Sequence, residues 1–245
     1  MTKRKKLIFD LGFFNGQDSL NYIKKGYKVV AIEANPILYR KYKKKLSSYI
    51  KSKKLILLNK IFSNSRERDY FYYNPNEIFR GSVKKKLASP KGFSKKMFGI
   101  NFKKKIIKCQ LPCIDLPGLV KEYGMPYYIK FDMDGVETTL IDGLFELKKK
   151  PKYLSVEFDK GHSSYFLKSL KKLKYKNFLF VNQIYNISND SYFSFINSSG
   201  DFGPYLNQKY YSFSKAQKIY KMFRKLRDID QRNLSPGWLD LHVAY

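Results

Sequence analysis

Cysteine, long apolar runs and acidic residues are all scarce in this sequence, and each shortage removes a class of protein. Cys109 and Cys113 are its only cysteines. Their spacing suits neither a disulfide framework nor a zinc knuckle, which predicts a reducing, intracellular compartment. No apolar run approaches the ~20 residues that a helix needs to cross a bilayer. The start, Met1-Thr-Lys-Arg-Lys-Lys followed by Leu7-Ile-Phe-Asp-Leu-Gly-Phe-Phe14, imitates the basic and apolar regions of a signal peptide. Asp10 interrupts it, and a strand followed by a loop accounts for it better. A soluble cytoplasmic protein is expected.

The 20 acidic residues face 49 Lys and Arg, a formal charge of +29. Such an excess predicts attraction to nucleic acid, acidic glycans or membrane surfaces. A lysine-, tyrosine- and asparagine-rich composition of the kind an AT-rich genome produces gives the same numbers. With 245 residues, 43% of them hydrophobic, the chain can fill a proper core, which excludes wholesale disorder.

Leu7 to Asp10 reads as a buried strand running into Gly12, and Gln17 to Lys25 as a helix with Leu20 and Ile23 on one face. Lys28-Val-Val-Ala-Ile-Glu33 is a second strand, Asn35-Pro36 opens a helix to about Ser48, and Leu55 to Leu58 is a third strand. Right-handed crossovers of this length make a parallel sheet with helices on its faces. From Ser63 the pattern weakens, with a small strand at Tyr70 to Tyr73 and an inserted loop or lid over 74–105. Further elements follow: an ordered segment at Ile106 to Leu111, a helix at Leu116 to Tyr123, a fourth parallel strand at Tyr127 to Asp132 and a helix at Val136 to Leu147. Tyr153 to Glu157, Phe178 to Val181 and Trp238 to Val243 complete a seven-stranded sheet. Tyr165 to Leu173 and Lys215 to Arg227 are expected helices. The expected fold is α/β: a Rossmann-like, doubly wound, mostly parallel sheet with an inserted region, in a single domain spanning 1–245.

Asp10-x-Gly12-x-x-x-Gly16 places two glycines in the turn after the first strand, where close backbone approach to a ligand is possible. Glu33 closes the second strand about 20 residues later, the distance at which doubly wound folds place a ribose-binding acid. A nicotinamide site wants Gly-x-Gly-x-x-Gly, and Phe13 and Phe14 leave nothing at its second glycine. The pattern therefore favours S-adenosylmethionine, with Asp10, Gly12, Phe13, Asn15, Gly16, Asp18, Glu33, Ala34 and Asn35 as candidate cofactor residues. Asp10 or Asp18 is the candidate partner of the cofactor's ammonium.

These segments resemble those of the FkbM-type methyltransferases. Phe9-Asp-Leu-Gly-Phe-Phe-Asn-Gly-Gln-Asp18 and Val30-Ala-Ile-Glu-Ala-Asn-Pro36 look like that family's first two motifs. Tyr128-Ile-Lys-Phe-Asp-Met-Asp-Gly-Val-Glu137 is similar to its Lys-Ile-Asp-x-Glu-Gly-x-Glu segment, Tyr153 to Glu157 to its next strand, and Gly237-Trp-Leu-Asp-Leu-His242 to one subgroup's ending. Phe13 departs from the family's usual small residue, and Asp134 from its usual Glu. The resemblance implies a class I methyltransferase fold and methyl transfer to hydroxyls of sugars, glycans or related small molecules.

An alcohol needs a nearby base to become a nucleophile. Lys130, Asp132, Asp134, Glu137 and Glu157 are delivered to the carboxyl ends of the fourth and fifth strands, where such folds bind ligands. Asp132 is the first candidate to face both cofactor and acceptor; Asp134, Glu157 and His162 are further catalytic candidates, and His242 a weaker one. Asp134 and Glu137 also suit a helix amino terminus, and Asp132 with Asp134 could hold Mg²⁺ through oxygen ligands. Two other readings stay open. The basic clusters Lys41 to Lys54 and Lys84 to Lys108 suggest an RNA or other nucleic-acid methyltransferase, although Asp132-Met-Asp-Gly lacks the proline-rich motif of base-methylating enzymes. A non-catalytic module binding an anionic partner on the same fold is the third.

Overall fold

The computed structural model describes residues 6–65, 67–78, 81–88, 105–133, 135–158, 163–182, 199–206, 208–229 and 239–245. Its elements are β1 (Leu7–Leu11), α1 (Gln17–Lys24), β2 (Lys28–Ile32), α2 (Pro36–Lys45), α3 (Ser47–Lys51), β3 (Leu55–Leu58), β4 (Ile61–Phe62), β5 (Arg68–Tyr73), β6 (Gly81–Ser82) and β7 (Ile107–Ile114). Then come α4 (Leu116–Tyr123), β8 (Tyr128–Phe131), α5 (Glu137–Glu146), β9 (Tyr153–Glu157), α6 (Ser163–Lys172), β10 (Asn177–Asn182), a 3-10 turn (Gly203–Tyr205), α7 (Phe213–Ile229) and β11 (Leu239–Ala244).

The main sheet has seven strands in the order β10-β11-β9-β8-β1-β2-β3. All run parallel except β11, which is antiparallel to both of its neighbours. Alternation sorts the side chains of β1, β2 and β8 between two cores. Phe9, Leu11, Val30, Ile32, Ile129 and Phe131 face α4, α5, α6 and α7. Ile8, Val29, Ala31 and Tyr128 face α1, α2 and α3. Burial on both faces is why these strands read as near-continuous apolar runs. The sheet is thus doubly wound and Rossmann-like, and the strand order reverses between β1 and β8. In open parallel sheets a ligand crevice lies at that reversal, beyond the carboxyl ends of the strands.

The expected helix from Asn35 to Ser48 is divided at Leu46, which turns inward at φ −105° and is buried. Asn35 caps α2 by accepting from the Ile37 N–H at 3.0 Å, with Pro36 at the first helical position. Between β3 and α4 the chain builds a second sheet in the order β4-β7-β5-β6. The expected ordered segment Ile106 to Leu111 belongs to this sheet, as part of β7 pairing antiparallel to β5. Cys109 and Cys113 both lie on β7 as free thiols. Of the expected lid at 74–105, residues 74–78, 81–88 and 105 are described, and they lean on the carboxyl edge of the main sheet. The Asn35 amide donates to the Ile78 carbonyl at 3.0 Å, and a Cβ placed on Gly135 would lie 3.3 Å from Leu87 and 3.7 Å from both Lys84 and Ser82. Among the described residues, no helix is long and apolar enough to cross a membrane.

Candidate functional site

The turn after β1 is shaped by backbone strain that glycine relieves. Gly12 has φ +99°, and a Cβ there would stand 2.2 Å from the Asp132 carbonyl oxygen. That contact locks the β1 turn against the end of β8, at the point where the sheet order reverses. Gly16 has φ +75°, and its Cβ would strike the Phe13 ring at 2.4 Å. The Phe13 ring is buried beneath Gly16 and packs edge-on against Tyr42, 5.7 Å between centroids. Phe14 also adopts positive φ, at 50°. Asn15 accepts from the Gln17 N–H at 3.1 Å, satisfying one of the free donors at the start of α1.

Glu33 joins this turn to the corner after β2. Its Oε2 accepts from the Phe14 N–H at 2.8 Å and its Oε1 from the Asn35 N–H at 2.6 Å. Asn59 donates to the carbonyls of Glu33 and Ala34, at 2.8 and 3.2 Å, fixing the backbone beneath the carboxylate. Burial pushes the Glu33 carboxyl up to about 7, against the opposing pull of those two N–H donors and of Lys130.

Lys130 was the least conspicuous of the candidates in sequence and is the centre of the site in space. It is buried on the α1 side of β8. Its Nζ donates to the Gly12 carbonyl at 2.8 Å and lies 3.5 Å from Asp10, 3.4 Å from Asp18 and 3.6 Å from Asp132. Three carboxylates hold its ammonium, raising its pKa well above the usual lysine value despite the opposing cost of burial. The only advance signal was a lysine inside the apolar run Tyr128-Ile-Lys-Phe131.

The candidate partners for the cofactor's ammonium are both engaged internally. Asp10 is fully buried, accepts from the Ser19 hydroxyl at 2.6 Å, and is pushed up to about 6 by burial, with Lys130 pulling the other way. Asp18 accepts from the Ser199 N–H at 3.0 Å. Asp10 and Asp18 thus support the turn through Lys130. Asp132 differs: its side chain is 40% exposed just past the end of β8, beside the turn that follows β1.

Glu157 closes β9 one strand over and is paired in register with Asp240. Glu137 is turned back on its own helix start, its Oε1 accepting from the Gly135 N–H at 3.1 Å. His242 does not reach the strand ends. It lies in the row of Asp10, Lys130 and Ser155, two residues below Glu157, fully buried, and burial pulls it down to about 3. That makes it a poor base for an acceptor. Asp134 and His162, as well as Trp238, lie outside the described residues. Among the described residues no cluster of His, Cys, Asp or Glu has the arrangement of a metal site. The three carboxylates around Lys130 already surround a cation, its own ammonium.

No family model and no curated protein matches this chain. Two solved structures are similar in their course. One is the C-terminal domain of precorrin-6Y C5,15-methyltransferase from Rhodobacter capsulatus, at 13% identity over 73% of this chain and 67% of that one, with a TM-score of 0.41. The other is precorrin-6y C5,15-methyltransferase from Geobacter metallireducens GS-15, at 9% identity over 98% of this chain and 79% of that one, with a TM-score of 0.43. At such values a shared activity does not follow.

Proposed function

We propose that this chain is an S-adenosylmethionine-dependent methyltransferase whose acceptor is a hydroxyl of a sugar, glycan or related small molecule. The observation that carries the reading is the meeting of the Gly12–Gly16 turn, Glu33 and Asp132 at the sheet's reversal point. The residues present suit that cofactor. Each Glu33 oxygen takes one backbone N–H and, as a carboxylate oxygen, has a second lone pair with which to accept from a ribose hydroxyl. When bound, the cofactor supplies a methyl group already activated by its sulfonium.

The chain's own residues then have distinct tasks. Gly12 lets the turn approach the end of β8, and Lys130 ties the Gly12 carbonyl to Asp132, so cofactor cradle and acceptor side share one rigid support. Asp132 orients the acceptor hydroxyl and takes its proton, with Glu157 flanking it on β9. The turn at 81–88 stands against Gly135 beside that end. Of the basic clusters, Lys41 to Lys54 descends along α2 and α3 away from this edge, whereas Lys84 to Lys86 stand exposed on the turn beside Gly135, which suits an acidic sugar or glycan as well as an uncharged one.

Calorimetric titration with S-adenosylmethionine tests the cofactor, and no heat at millimolar concentration would overturn the whole reading. Asp132→Asn should depress turnover by roughly 10²-fold or more with little change in cofactor affinity; full activity would remove Asp132 from the mechanism. Labelled methyl appearing only in RNA, and in no sugar or glycan offered, would overturn the acceptor.

A further inference from the structure

The parallel sheet has a second edge, where its strands begin, and that edge is lined with lysine. Lys54, Lys28, Lys6, Lys152 and Lys176 stand at or just before the starts of β3, β2, β1, β9 and β10. Backbone hydrogen bonds align them into one row: Val29 N–H to Lys54, Lys28 N–H to Lys6, Tyr127 N–H to Leu7, Tyr153 N–H to Tyr127, Tyr245 N–H to Lys152 and Lys176 N–H to Ala244. Seven strands spaced about 4.8 Å apart make this row about 29 Å long. Lys28 is half-buried and the other four are exposed.

The row is broadened on both sides. Lys53 borders it on the α3 side, and Lys148, Lys149 and Lys174 on the α5 and α6 side, all exposed. Lysines in the last turns of helices offset the helix dipole. These four and the row lie outside the helices, so that role does not explain them. Among the described residues, the carboxylates reaching this edge are Glu122 and Glu146, at the ends of α4 and α5, and Asp201, paired with Lys25 at 3.0 Å.

We propose that this edge docks on an anionic lipid bilayer, with the candidate site on the opposite edge facing away from it. A two-dimensional field of ammonium groups fits a planar anionic surface. Aromatic side chains at the same edge agree. Phe145, Tyr205 and Tyr245 are 48%, 39% and 53% exposed, as side chains at a headgroup boundary are. Three of the tyrosines at this edge, Tyr127, Tyr153 and Tyr205, meet a lysine ammonium instead of offering a free face to a nucleic-acid base. Lys6 sits 4.1 Å from the Tyr127 centroid, Lys152 5.5 Å from that of Tyr153 and Lys25 4.6 Å from that of Tyr205, and Tyr27 stacks on Tyr127.

The test is co-sedimentation of the full chain with phosphatidylcholine vesicles, with and without phosphatidylserine, at physiological ionic strength. Binding is expected only with phosphatidylserine. The triple variant Lys6→Gln, Lys28→Gln, Lys152→Gln should bind on the order of a hundredfold more weakly, about fivefold per lysine. If the triple variant misfolds, the single variants carry the same test. The comparison variant replaces Lys218, Lys221 and Lys225 of α7 by Gln; these are exposed beside or beyond Tyr220, which packs on Phe158 past the far end of β9. It should lose less than about fivefold. Equal loss in both triple variants would reduce the effect to net charge and overturn the proposal. So would binding that ignores phosphatidylserine, or tighter binding to single-stranded RNA that the same edge variant abolishes.

Discussion

Lys130→Met isolates the ammonium at the centre of the site, because methionine keeps much of the apolar stem and removes the charge. In the native protein that charge lies within 3.6 Å of Asp10, Asp18 and Asp132. Asp132 is partly exposed and loses little when its partner goes. Asp10 is fully buried, and its Oδ1 has no hydrogen bond to replace the ion pair. Removing one partner of a buried pair costs about 3–5 kcal/mol. The pH dependence separates this cause from a packing defect. Burial already raises Asp10 from 3.8 to about 6 against the pull of Lys130, so losing Lys130 raises it further. The folded variant then binds a proton that the unfolded chain does not, and its stability relative to the native protein grows as pH falls, by up to about 1.4 kcal/mol per unit. Urea unfolding at pH 8 and pH 5 reads both terms. The expected deficit is about 3–5 kcal/mol at pH 8 and clearly smaller at pH 5. A native midpoint at pH 8, or a deficit that stays constant or widens at pH 5, refutes the reasoning.

Three further perturbations probe neighbouring links. Gly12→Ala forces an L side chain to φ +99° and into the Asp132 carbonyl, so it should cost at least about 1–3 kcal/mol and weaken cofactor binding; a native melting temperature would show that the turn relaxes freely. If Glu33 accepts from the cofactor's ribose as a carboxylate, calorimetric affinity should fall about tenfold per pH unit below the folded value of about 7. Flat affinity from pH 8 to pH 5 would end that role. His242 is held near 3, below the usual 6.5, so its neutral burial stabilises the fold above pH 6.5 and that stability drains as pH falls toward 3. His242→Leu should thus lose about 2 kcal/mol less than the native protein between pH 7 and pH 5 in urea titrations; parallel losses would contradict it.

Much of the main sheet was legible because doubly covered parallel strands must be apolar on both faces. Runs such as Lys28-Val-Val-Ala-Ile-Glu33 and Tyr153-Leu-Ser-Val-Glu157 therefore announce their own ends. Gly12, Gly16 and Glu33 were legible for a related reason, since positive φ and an acid at a strand end leave few other residue types. The second sheet was less visible: β4 and β6 have two residues each, too short for any period to register. The antiparallel course of β11 was hidden too, because a buried strand reads the same in either direction.

Sequence by itself determined where the strands and most helices of the main sheet lie, and which residues close the first two strands. Those outcomes depend on side-chain periodicity and on conformations open to few residues, both local properties. Tertiary structure alone decided the partnerships: that Lys130 is neutralised by Asp10, Asp18 and Asp132, that Phe13 packs under Gly16, and that His242 is buried two residues from the edge. It also decided where the charge goes. Parallel strands start together on one edge and finish together on the other, so lysines before the strands gather 29 Å wide at one end by the spacing of about 4.8 Å. Most of the carboxylates that close the strands gather at the other.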